Sequence, residues 1–131
     1  MYMLDTNICI YIIKKRPKTV LEQLRKKKKK GLFISSITLA ELEFGVENSA
    51  YKRENKIALL EFLAIIEIKK FDENAAKAYG IIKKKLKTKS CIIGAMDLLI
   101  GAHAKSQNMI LVTNNTGEFS RIDGLKVEDW A

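Results

Sequence analysis

Met1-Tyr2-Met3-Leu4-Asp5-Thr6-Asn7 is the stretch on which the fold turns. Apolar and aromatic residues run straight into Asp5, and a second apolar run, Ile8 to Ile13, follows Asn7. A short apolar run that ends in polar residues and gives way to a helical pattern reads as a buried strand, a turn and a helix. Asp5 then stands at the carboxyl end of the first strand, where open α/β sheets bind their ligands. A carboxylate there is costly unless it is hydrogen-bonded, paired or bound to a metal. Thr6 and Asn7 can also cap the following helix, so a polar capping turn competes with a functional site at this point.

The pattern of the opening repeats downstream. Pro17 fits the start of a second helix with Val20, Leu21 and Leu24 on one face, ending in a run of lysines before Gly31. Residues 32–37 read as a second strand, Thr38 as the opening of a helix over 39–48, and 53–64 as a longer amphipathic helix. Residues 65–71 suit a third strand, and Asp72 caps a helix through Leu86. After a loop over 90–94, a helix is expected over 97–106 and a buried strand over 109–113. A polar loop over 114–124 then leads to a short strand at 125–127. Strands alternating with helices predict an α/β fold, with a central, mainly parallel sheet flanked by helices.

Composition bounds the answer. A chain of 131 residues is one domain, 1–131, with no linker or repeat, and 47% hydrophobic with 30% charged residues is globular. A net charge of +9 favours a polyanionic partner, of which nucleic acid is the commonest, although lysine-rich coding supplies part of it. The lysines at 26–30 suit a solvated helix end beside the negative pole of the dipole, with nucleic-acid contact as the competing role. Cys9 and Cys91 lie among apolar residues without metal-ligand spacing, so buried free thiols are expected. The amino terminus lacks a basic leader and a small-residue cleavage site, and no apolar run approaches bilayer length. A cytoplasmic, soluble protein without a membrane partner is expected.

Two further acids share the character of Asp5. Glu41 and Asp97 each stand in apolar surroundings near a predicted helix start. Glu41 also completes a capping-box pattern with Thr38. Glu43 lies about 200° around the helix from Glu41, so the two cannot face one site. Asp97 is followed by Gly101 and Ala104 at i+4 and i+7, a stripe of small side chains that permits close approach of another segment. Acids that follow successive parallel strands can meet on one sheet edge. Crowded carboxylates raise one another's pKa unless a cation lies among them, and oxygen-only ligands favour magnesium or manganese over zinc. Such a centre holds a phosphate for in-line attack. His103 is the single histidine and, six residues from Asp97, lies on another helix face, so histidine-relay chemistry has little support. Neither a P-loop nor a dinucleotide fingerprint is present.

Four stretches in order resemble the PIN-domain ribonucleases, and more closely the VapC toxins of bacterial type II toxin–antitoxin pairs. They are Met3-Leu4-Asp5-Thr6-Asn7, the run from Ser35 to Gly45, Gly94-x-x-Asp97 through Ala104, and Leu111-Val112-Thr113-Asn114-Asn115-Thr116-x-Glu118-Phe119. The resemblance extends from Met3 to Trp130. It implies a PIN-like fold and a magnesium-dependent endoribonuclease, with manganese as a substitute ion. Asp5, Glu41 and Asp97 match the family's metal-binding acids. Asn7 matches a polar residue beside them, and Thr113 one near the attacking water. Many PIN domains carry an Asp where this chain has Asn115; nearer relatives with Asn-Asn-Thr have a glutamate matching Glu118, which is therefore expected to complete the site. The resemblance further implies a structured RNA substrate, with tRNA the expected class and initiator tRNA the narrower expectation. It also implies a cognate VapB-type antitoxin, a homodimer, and promoter DNA bound only through the antitoxin complex. The residues alone leave two other readings open: a phosphatase with Asp5 as nucleophile, which would want an Asp at Asn7, and a catalytically silent domain that binds RNA or protein.

Overall fold

The computed structural model describes residues 1–131. Its first strand, β1 (Tyr2–Leu4), passes through Asp5 directly into α1 (Thr6–Ile13), as the opening residues predict. There follow α2 (Lys18–Lys27), β2 (Leu32–Ser35), α3 (Ser36–Glu47), α4 (Lys52–Leu63), β3 (Glu67–Lys69), α5 (Glu73–Thr88), α6 (Ala95–Ser106), β4 (Ile110–Val112), α7 (Thr116–Phe119) and β5 (Val127–Glu128). The five strands form one sheet in the order β3-β2-β1-β4-β5, and every pairing is parallel.

Strand alternation builds two cores, one on each face of the sheet. Tyr2, Leu4, Ile34 and Val112 point into one, with Ile8, Val20, Leu42, Leu59 and Trp130. Met3, Phe33 and Leu111 point into the other, with Ile82, Ile100 and Phe119. Burial on both faces is why β1 and β2 read as unbroken apolar runs. The chain builds outward from β1 through β2 to β3, then returns to place β4 on β1's other side. β1 is thus the strand at which the order reverses, and such a switch point opens a crevice at the carboxyl ends of the strands.

Several boundaries differ from the sequence reading. The second strand stops at Ser35, because the Ser35 hydroxyl accepts the Ile37 N–H at 3.1 Å and caps α3. Thr38 is therefore not the cap: it is fully buried inside α3, and its Oγ1 has no hydrogen-bond partner. The capping-box role for Glu41 falls with it. The third strand is only Glu67–Lys69, and the polar loop at 114–124 contains the short helix α7. The final strand is Val127–Glu128, displaced from the expected 125–127. Cys9 is a buried free thiol as expected, but Cys91 is only half-buried, on the loop before α6.

The lysine run closes α2 and a following turn of 3-10 helix, Lys28–Lys30. It leads into Gly31, whose carbonyl accepts the Tyr2 N–H at 3.0 Å at the start of β1. The run therefore occupies the amino edge of the sheet, opposite the edge that carries Asp5. No helix is long and apolar enough to cross a membrane.

Candidate active site

β1 delivers Asp5 to the crevice 4% exposed. Its Oδ1 accepts the Ile8 N–H at 3.0 Å and caps α1, while its own N–H donates to the Val112 carbonyl at 3.0 Å. Burial raises the Asp5 pKa; the neighbouring Thr113 hydroxyl and the Ile8 and Asn7 backbone N–H groups oppose that rise, and the charge of Glu41 adds to it. Asp5 is thus both the capping residue and an acid of the site.

Glu41 reaches the same crevice from the second turn of α3. Thr6 Oγ1 donates to its Oε1 at 2.5 Å. Glu43 turns away, as the helical angle requires, and pairs with Lys56 Nζ at 2.7 Å. Asp97 stands in the first turn of α6. Burial, then the charges of Glu118, Asp5 and Glu41, push its pKa from 3.8 to about 6. Four carboxylates carried by four separate elements therefore feel one another.

Glu118 comes from α7, which hangs on the fully buried ring of Phe119. The stripe under Asp97 makes this seating feasible: a Cβ on Gly101 would lie 2.6 Å from Ile122 Cδ1 and 3.3 Å from the Phe119 ring. The Asn115 amide donates to Glu118 Oε2 and, at 3.5 Å, faces Asp97 Oδ2. Thr113, fully buried, accepts the Asn115 N–H at 2.9 Å on its hydroxyl and so shapes the turn that presents this amide.

The placement of the expected residues is uneven. Asp5, Glu41, Asp97, Asn115, Glu118 and Thr113 surround one crevice. Asn7 contributes its backbone N–H to Asp5, but its side chain is exposed and has no hydrogen bond to the acids. Thr6 was given only a capping role from sequence, and its bond to Glu41 joins residues 35 apart. The one signal for it is its position next to Asp5. His103 lies outside the crevice, fully buried.

No cation offsets the four acids. The ion pairs of the structure are Lys52–Glu47, Lys56–Glu43 and Lys89–Asp123, none of them at this site. On a chain of net charge +9, a crevice with four carboxylates and only hydroxyl and amide donors has the chemistry of a hard divalent-cation site. The acids are not already gathered tightly around one point, since no three of them form a closed metal-ligating group. Their charges act on one another although they do not form a closed ligand set.

The sequence pattern of the PIN domain matches residues 2–125. The chain belongs to the PIN-domain family. Within that family its full-length relatives include VapC ribonucleases. The chain is 45% identical to Ribonuclease VapC2 of Rickettsia felis over 130 residues, covering 98% of this chain and 97% of that one. It is 41% identical to the tRNA(fMet)-specific endonuclease VapC of Shigella flexneri, covering 99% of this chain and 98% of that one. The crystal structure of VapBC2 from Rickettsia felis bound to a promoter DNA fragment superposes with a TM-score of 0.95 at 44% identity, over 99% of this chain and 98% of that one. The all-parallel sheet with acids at its switch point is thus the PIN fold.

Proposed function

We propose that this PIN domain is a magnesium-dependent toxin that cuts tRNA, initiator tRNA foremost, and is silenced by a cognate VapB-type antitoxin. The observation that carries it is the crevice itself: Asp5, Glu41, Asp97 and Glu118 converge without a paired cation on a basic chain. Asp5, Glu41 and Asp97 would hold the ion, with Glu118 completing the set; manganese would substitute. The bound ion supplies electrostatic activation of the scissile phosphate. Thr113 and Ile8 fix the Asp5 carboxylate, Thr6 fixes Glu41, and the Asn115 amide bridges the Asp97 and Glu118 carboxylates. Asp97, with its pKa near 6, must release its proton before it can serve. The name of the Shigella flexneri relative supports the tRNA reading.

In this reading the antitoxin docks against α1, α3 and α4. A cavity of about 310 Å³ lies between α1, α3 and α4, lined by Ile10, Ile13, Leu42, Val46 and Leu59 with Glu41 at its rim. An apolar segment seated there could extend an Arg or Lys into the crevice as a surrogate cation. The Rickettsia felis VapBC2 complex on a promoter DNA fragment supports such a partner. In this reading promoter DNA is bound through the antitoxin, and the chain acts as a homodimer in the cytoplasm.

The test is to incubate the purified chain with total tRNA, with and without magnesium, and with a small phosphomonoester alongside. Magnesium-dependent RNA fragments with the monoester untouched are expected. Turnover of the monoester alone would mark a phosphatase, and no turnover of either a silent binding domain. Co-expressed antitoxin is expected to suppress the cleavage.

A further inference from the structure

His103 is the chain's single histidine, lies outside the crevice and is fully buried. Its Nδ1 is 2.8 Å from Ser35 Oγ, a contact between residues 68 apart whose partners are both 0% exposed. Ser35 is the residue that ends β2 and caps α3 through the Ile37 N–H. The ring is wedged in place by the edge of Phe71, with centroids 5.4 Å apart at 76°, and the Phe71 N–H donates to Ser36 Oγ at 3.0 Å. The imidazole therefore sits where β2, the start of α3, the turn after β3 and the last turn of α6 meet.

The geometry points to His103 as a positioning residue that, through Ser35, sets the register of the two helices carrying Glu41 and Asp97. Glu41 follows Ser35 by six residues and Asp97 precedes His103 by six. At 1.5 Å per residue each acid stands about 9 Å from the contact along its own segment. Ser35 meets His103 at one end, and Glu41 acts on Asp97 at the other. Because the pairs come in reversed order, the two segments run past one another in opposite directions. A slip at the buried contact is then transmitted as a change in the spacing of the acids.

Stability alone explains the ring poorly. His103 Nε2 is buried without a well-formed hydrogen bond, its one polar neighbour being the Lys70 backbone, and a poorly satisfied polar group in a core costs more than an apolar side chain of similar shape. What the imidazole offers beyond packing is a directional bond to the cap of α3. Groups that hydrogen-bond the residues holding an ion commonly alter its affinity by about 10- to 100-fold, and this contact, one step further removed, acts at the low end of that range.

This inference rests on the metal-site reading above, and its test separates the two. Ser35→Ala, His103→Leu, the double variant and His103→Asn are compared with the unaltered protein by manganese binding in calorimetry. Carboxyl ¹³C signals of Glu41 and Asp97 are recorded without metal, and thermal melting serves as a control. Asparagine places both an acceptor and a donor near the Nδ1 position. His103→Leu and Ser35→Ala are each expected to weaken manganese binding about 10-fold. The double variant is expected to be no worse than either, and His103→Asn to recover to within about threefold. The Glu41 and Asp97 signals should move in the Leu and Ala variants and return in the Asn variant. Variants that melt lower while the carboxyl signals stay in place would overturn the role, and so would an Asn variant no better than Leu. If the unaltered protein bound no manganese, the metal-site reading would fall, and the metal-free carboxyl signals would still decide whether His103 positions the acids. Should His103→Leu fail to fold, the Ser35→Ala and His103→Asn pair carries the same decision.

Discussion

Thr6 Oγ1 donates to Glu41 Oε1 at 2.5 Å, joining the first residue of α1 to the second turn of α3. The bond places Glu41 beside Asp5, because Thr6 follows Asp5 directly in the chain. It leaves the glutamate's other oxygen free to face the crevice.

Thr6→Val keeps the shape of the side chain and removes this donor. The loss of a half-buried bond to a carboxylate is expected to lower stability by about 1 kcal/mol. RNA cleavage should slow by roughly tenfold as Glu41 loses its orientation, with Thr6→Ser close to the unaltered rate. Cleavage assays with both variants check this; equal rates for Val and Ser would remove Thr6 from the site.

Asp97→Asn is expected to abolish cleavage while the fold persists. Its carboxylate is crowded by Glu118, Asp5 and Glu41 and has no cation beside it, so neutralising it relieves repulsion as it removes a ligand. Metal-free melting should hold or rise. A variant that cuts at the unaltered rate would exclude Asp97 as a ligand, and one that unfolds would mark it as a helix-start acid only.

The same shift predicts a pH effect on the metal-free protein. The folded pKa of Asp97 is near 6 against 3.8, so between about pH 4 and 6 the folded chain holds a proton that the unfolded chain has released. Stability therefore falls as pH rises through that window, and the raised Asp5 acts in the same direction. Discounted for screening at a half-buried group, Asp97 contributes about 1 kcal/mol of this loss at neutral pH. Melting curves from pH 4.5 to 7.5 should show the loss without metal, and saturating magnesium should largely remove it. Asp97→Asn should flatten the metal-free curve.

Glu118 and Asn115 can be told apart by charge. Glu118→Gln is expected to cut more slowly and to need more magnesium for half-maximal rate. Asn115→Asp replaces an amide that faces Asp97 and Glu118 with a further negative charge. It should destabilise the metal-free protein yet retain activity and bind magnesium more tightly. Magnesium titrations of both variants decide the matter; an unchanged Glu118→Gln profile would take the fourth ligand away from this residue.

Gly101→Ala tests how α7 is seated. Alanine adds up to about 1 kcal/mol of helix propensity at this position in α6. Its Cβ, however, would press on Ile122 and Phe119 at 2.6 and 3.3 Å, and overpacking of this kind costs about 1–3 kcal/mol. A net loss of about 1 kcal/mol is expected, together with a higher magnesium requirement as Glu118 shifts with Phe119. Melting and magnesium titration on the same sample check both parts.

By itself the sequence determined the order of the main strands and helices and named the candidate acids. The apolar run into Asp5 specifies a strand and turn, because a strand buried on both faces has no polar alternation to show. Helical angle alone separates Glu41 from Glu43, and the small residues after Asp97 announce a close neighbour. Only the tertiary structure decided how these pieces meet. The capping of α3 by Ser35, the Thr6–Glu41 bond, the Asn115 amide beside Asp97 and Glu118, and the burial of His103 against Ser35 depend on packing. Two of them join residues 35 and 68 apart. Local periodicity and capping preferences act over one or two helical turns, so they can name an acid and its element. The field around that acid is set by strand order and by the register of packed helices, and neither is written in any short stretch of the chain.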